Sequence, residues 1–126
     1  MQMITVTIAK REFALAFTMD ALDRIESAIP DFNLSEISQY TKRPGFMVDI
    51  LYAMIQQGEL LQGRKLDVDR AWFGAHIPAS PKKIADVQIA VFNAMAEAMK
   101  MESETEDGGE VDVVLEEIKK KETKDG

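Results

Sequence analysis

Charge is partitioned along this chain, and the partition sets where a core can form. Residues 1–101 carry 11 Lys/Arg against 12 Asp/Glu, a net of −1. Residues 102–126 carry 4 against 10, a net of −6. A nearly neutral, apolar-rich stretch is therefore followed by an acidic tether, Glu102 to Glu110, and then by a short segment with its own apolar stripe. The expected organisation is one globular domain over 1–101 and an acidic linker with an amphipathic tail over 102–126. A core of about 100 residues is modest but sufficient without a disulfide or a metal.

Periodicity supplies the elements. Met3 to Ile8 alternates apolar and Thr positions, and Glu12 to Thr18 alternates again with Phe13, Leu15 and Phe17 on one side. With a turn at Ala9-Lys10-Arg11 between them, these stretches predict a β-hairpin. An isolated hairpin is marginal in water, so its apolar face must lie on the helices that follow. Thr18 is a helix cap before Met19, Leu22, Ile25 and Ile29, which share one face up to Pro30. Asn33 and Glu36 resemble a capping box, with Leu34, Ile37 and Tyr40 inward. Pro44 suits a first turn, and Phe46, Met47, Ile50, Leu51, Met54 and Ile55 form a broad apolar face, with Gly58 past the C-terminus.

Gly63 breaks the pattern. Asp67 is expected to cap a short helix over Val68–Ala75, with Val68, Ala71 and Trp72 inward and Pro78 beyond it. Ser80 and Pro81 start the longest helix, to Met101, with Ile84, Val87, Val91, Ala94, Met95 and Ala98 at helical spacing. In the tail, Val111, Val114, Leu115 and Ile118 form one stripe, with Asp112 near its start and Lys119, Lys120 and Lys121 near its end, matching the helix dipole. At about 11 residues this helix is too short to hold alone and needs a surface. The expected fold is mainly α (α+β): an N-terminal β-hairpin packed on a small multi-helix domain, then an acidic tether and a short C-terminal amphipathic helix.

Catalytic groups are sparse. Cysteine is absent, which removes thiolate catalysis, disulfides and thiolate metal sites. The single His76 has neither a nucleophile nor a carboxylate at a spacing that would orient it, and a structural histidine is the simpler account. Asp67 and Asp69 are a fragment of a calcium loop without its remaining ligands. Gly58 and Gly63 have the spacing of a phosphate loop but are followed by Arg64-Lys65. No catalytic residue, cofactor or metal site is assigned, and an enzyme is not expected. Scattered basic residues on an acidic chain argue against nucleic acid. No apolar run of about 18 residues argues for a membrane span, and the N-terminus has no secretory pattern.

Protein-binding candidates remain. Trp72 and Phe73 are adjacent on a short helix and cannot both face inward, so one is a candidate anchor, although an irregular turn would bury both. Met19, Met47, Met54 and Met95 lie on expected inner faces. Met99 and Met101 fall where the last helix meets the tether, and thioethers suit adaptable apolar contacts. The stripe Val111, Val114, Leu115 and Ile118 completes the candidate set.

The stretch GELLQGRKLDVDRAWFGAHIPASPKKIADVQIAVFNAMAEAMKME, together with GGEVDVVLEEIKKK, resembles the tail assembly chaperones of tailed bacteriophages and prophages. The likeness is strongest from Glu59 to Met101, and the group is recognised by overall pattern with no catalytic signature. It implies a small helical protein of the host bacterial cytoplasm, absent from the mature virion, that keeps the tape-measure protein soluble until tail-tube subunits polymerise. Partners implied are the tape-measure protein and the tail-tube protein, with homo-oligomerisation left open. In many such phages a ribosomal frameshift near the end of the gene adds an extension. Lys119-Lys120-Lys121 is compatible with a slippery run, and equally with a dipole-matched helix end. The tail stripe is available to compete with client for an apolar groove, or to bridge to a neighbouring copy. The alternative reading is a regulatory adaptor that presents its C-terminal helix to a host enzyme.

Overall fold

The structure, a computed structural model, describes residues 3–106, of which 101–106 as backbone only. Strands β1 (Ile4–Ile8) and β2 (Arg11–Leu15) form an antiparallel hairpin with Ile4 opposite Leu15 and Ile8 opposite Arg11. Its turn is Ala9–Lys10, one residue shorter than expected, and both residues are left-handed (φ 53° and 66°). That geometry matches the twist of the flanking strands, and it places Arg11 in β2. The strand ends at Leu15 because the Ala16 N–H leaves the hairpin and donates to the Met54 carbonyl at 3.0 Å. Phe13, Ala14 and Leu15 are all buried, so β2 is covered on both faces. On the β1 edge the Lys83 ammonium donates to the Thr7 carbonyl at 2.9 Å.

Helix α1 (Met19–Ala28) starts as expected at Thr18, whose hydroxyl oxygen accepts from the Ala21 N–H at 3.1 Å. The same hydroxyl donates to Gln57 Oε1 at 3.0 Å, which orients the first turn. Ala21, Ile25 and Ile29 take the inward positions and are fully buried. Met19 is consequently turned out, not inward as the periodicity predicted. After Pro30 the chain turns at Asp31 (φ 58°). The Tyr40 hydroxyl ties this loop, accepting from Asn33 N–H and donating to the Asp31 carbonyl. The expected short helix divides into a 3-10 turn (Leu34–Glu36), capped by Asn33, and a single α turn, α2 (Ile37–Tyr40). Ile37 is buried there, but Leu34 is exposed.

Helix α3 (Pro44–Leu61) is the centre of the molecule and packs against β2, α1, α4 and α5. Buried residues occur all round it from Met47 to Glu59, the pattern of a helix enclosed by protein. Gly58 lies inside this helix and does not end it. A Cβ there would overlap the Ala14 carbonyl, so the glycine is where β2 crosses the helix at backbone distance. The helix ends three residues later, and Gly63, left-handed at φ 74°, turns the chain away.

Helix α4 (Arg70–His76) is capped by Asp69, whose Oδ1 accepts from the Trp72 N–H at 2.9 Å. Asp67, the expected cap, instead accepts from Arg11 at 2.7 Å. Helix α5 (Pro81–Glu106) begins at Ser80 as expected, Ser80 Oγ accepting from the Lys83 N–H at 3.2 Å. Its backbone continues past Met101 to Glu106, so residues 102–106, expected as the start of the tether, are helical. Val87, Ala90, Val91 and Ala94 bury its inner face.

The contacts also fix directions. Thr18 at the start of α1 meets Gln57 near the end of α3, while Phe32 beyond α1 packs on Tyr40, which packs on Phe46 at the start of α3. Helix α1 is therefore antiparallel to α3. Gln88 in α5 donates to the Thr41 carbonyl just ahead of α3, whereas Met95 and Met99 lie beside Thr18. Helix α5 thus runs with α3 and against α1.

Candidate functional site

An apolar groove opens between the start of α1 and the outer half of α5. Phe17, Met19, Leu22, Leu34, Met95 and Met99 line it together with Thr18 and Ala98, and its volume is about 500 Å³. Two causes keep it open. The inward face of α1 is used up by Ala21, Ile25 and Ile29, leaving Met19 81% exposed. On α5, Val87, Val91 and Ala94 set the buried direction, so Met95 is only half-buried and Met99 is 69% exposed.

The apolar surface does not stop at the groove. Along α5, Ala85, Ile89, Phe92, Ala96 and Met99 recur at steps of four, three, four and three, and all are exposed. Those steps align side chains along one face and are the spacing of a helix–helix seam. Ile89 is 57% exposed. On one flank of this face Lys82 pairs with Asp86 at 2.9 Å. Met99 belongs to both surfaces, so groove and seam are continuous. Covering such area with another apolar surface is favourable by about 25 cal/mol per Å², and thioether walls adapt to differing shapes.

A second cleft, about 480 Å³, lies on another side among Tyr52, Leu66, Val68, Trp72, Asp67 and Asp69. Both of its carboxylates are engaged. Asp69 caps α4, and the hydrogen bond from Arg11 holds the Asp67 carboxyl below the usual carboxylate range. Trp72 forms one wall; its ring stacks on His76 with centroids 4.2 Å apart, and Arg11 lies over it at 5.5 Å. His76 Nδ1 donates to the Trp72 carbonyl at 2.8 Å. Among the described residues, no three His, Asp or Glu side chains are grouped to hold a metal ion. Elsewhere, Glu59 is a buried clasp. Its carboxylate accepts from the Ala14 N–H at 2.8 Å and from Arg64 at 2.8 and 2.9 Å. The Arg64 hydrogen bonds lower its pKa against the opposing effect of burial.

Of the residues singled out in the sequence, Phe73 is corrected. It is fully buried, edge-on to Phe13 at 5.0 Å and next to Tyr52, and presents nothing to a partner. Trp72 is half-buried on the second cleft, away from the groove. Met99 is on the groove. Met101 is in α5, its side chain outside the described residues, as are Val111, Val114, Leu115 and Ile118. Sequence reasoning missed Met19, Leu22 and Leu34 as groove walls, having turned them inward, and missed Ile89 and Phe92 altogether. The signal for the latter pair was legible: α5 is apolar on two opposite faces, and one small domain buries only one of them.

No family model, curated protein or solved structure matches the chain. Among the described residues, no helix is long and apolar enough to cross a membrane.

Proposed function

We propose that this protein is a chaperone that holds an amphipathic helical segment of a client by non-covalent contact, the client being the tape-measure protein of a tailed bacteriophage. One observation carries the reading: a groove walled by exposed Met19, Leu34 and Met99 runs without a break into the apolar seam of α5. A helix laid along it would bury its own apolar stripe, the helix-in-groove mode of recognition. Methionine walls suit a client whose stripe varies along a great length, since they re-pack around different side chains. The net charge of −7 keeps an assembly of many copies soluble by mutual repulsion. The resemblance to tail assembly chaperones supplies the client's identity and the host cytoplasm as the place of action. The tail-tube protein is a second partner on the same ground.

Co-expression tests it. A long helical tape-measure protein that is insoluble alone should become soluble with the wild-type chain. The doubly substituted Met19→Asp/Met99→Asp chain should leave it in the pellet, because both positions are exposed and their change spares the core. Equal rescue by wild type and variant would refute the groove as the binding surface.

A further inference from the structure

We propose that the groove between α1 and α5 is the docking site of the chain's own segment Val111–Ile118, so that a client must displace it. The proposal concerns an intramolecular contact and does not depend on who the client is.

Three observations converge on this occupant. The first is reach. Helix α5 is described as far as Glu106, seven residues beyond Met99, or about 10 Å along the axis at 1.5 Å per residue. The four residues Asp107 to Glu110 span up to about 14 Å when extended, enough to return Val111 to the level of Met99. Gly108 and Gly109 sit in that span, where a reversal needs backbone conformations other residues avoid. A shorter connection would hold the segment away from the groove.

The second is length and pattern. A segment returning along α5 runs against it and therefore alongside α1 in the same direction. From Val111 to Ile118 a helix covers about 10 Å, the same as from Met19 to Glu26 on α1. Val111, Val114, Leu115 and Ile118 would fall on one face and enter between Met19 and Leu22 on one side and Met95 and Met99 on the other. A groove of about 500 Å³ is of the size that encloses a compact apolar ligand.

The third is charge. On α1 the face that bears Met19 and Leu22 continues, four residues on, as Asp23 and Glu26. Both are exposed, and neither forms an ion pair with another described residue. In the direction imposed by the connection, Lys119, Lys120 and Lys121 arrive at that end. The opposite direction would bring acidic Glu110 and Asp112 there instead. The order of charges in the tail thus suits only the orientation that the linker permits.

Methionine methyl groups report on this directly, because Met19, Met95 and Met99 line the groove while Met47 and Met54 are in the core. The full chain labelled at the methionine ε-methyl carbon is compared by NMR with the full chain carrying Leu115→Asp and Ile118→Asp. The expected result is movement of the Met19, Met95 and Met99 signals towards the solvent-exposed position, with Met47 and Met54 unchanged, at every protein concentration. Unchanged groove signals would overturn the proposal. Groove signals that move with protein concentration in the wild type would also overturn it, by assigning the groove to a neighbouring copy. No client is present in the experiment, so its outcome is independent of the chaperone reading.

Discussion

Replacing Gly58 by alanine sets two physical effects against each other at one position. Helix propensity alone favours alanine inside a helix by about 0.8–1 kcal/mol. The structure opposes it, because a Cβ at Gly58 would overlap the Ala14 carbonyl and stand 2.5 Å from the Leu15 nitrogen. Those atoms are backbone, so no side chain can swing aside. The segment is also tied to α3 on both sides of the contact, by Ala14 N–H to Glu59 at 2.8 Å and Ala16 N–H to Met54 at 3.0 Å. Overpacking costs about 1–3 kcal/mol, and more where the neighbour cannot yield. Displacing β2 also strains a hydrogen bond to a charged acceptor, worth about 1.5–3 kcal/mol. After the propensity gain, the net loss is about 3 kcal/mol. For a domain of about 100 residues that lowers Tm by about 12–24 °C. Thermal unfolding of the full chain, followed by far-ultraviolet circular dichroism, measures it. Gly45→Ala, also in α3, is the matched control, since its Cβ would meet only Arg70 Nη2 at 3.9 Å, an ordinary contact. A Gly58→Ala protein as stable as wild type, or more so, would refute the close crossing of β2 over α3.

Acid should act through Glu59. Its carboxyl titrates below the usual range when folded, so its contribution is complete above the unfolded value and is lost as pH falls through the folded one. Denaturant midpoints of wild type should therefore drop more steeply on acidification below the usual carboxylate range than those of Glu59→Gln, and parallel slopes would contradict the clasp. Asp69→Ala should cost about 1 kcal/mol through the lost cap of α4. Asp67→Ala, which removes only an exposed ion pair with Arg11, should cost distinctly less in the same titration, and the reverse order would restore Asp67 as the cap.

Local chemistry was legible where the signal and its effect lie within one turn. Thr18, Pro44 and Ser80 start their helices where the sequence places them, and Gly63 turns the chain, because a cap or a left-handed residue acts on its immediate neighbours. Face assignment was less legible, since it depends on what the helix meets. The sequence reading puts Met19 on one stripe with Ile25, yet six residues set the two about 120° apart round the helix, so with Ala21, Ile25 and Ile29 inward Met19 points outward. Asp67 and Asp69 are equally good caps by type, and the choice was made by Arg11, 56 residues from Asp67. Gly58 has the spacing of a terminator, and only the strand crossing at Ala14 reveals it as a clearance. The groove followed the same rule. Met99 was found because it lies at a compositional boundary, whereas Ile89 and Phe92 were hidden by the assumption that apolar residues on a long helix all face one core.

The two sides of the hairpin bear on how densely such a protein can be crowded. An open strand edge invites another chain to pair with it, a hazard that grows with protein concentration. Here the outer amides of Ala14 and Ala16 are spent on Glu59 and Met54, and a lysine sits on the Thr7 carbonyl across the sheet. These contacts reduce the backbone groups that the hairpin offers to a second strand.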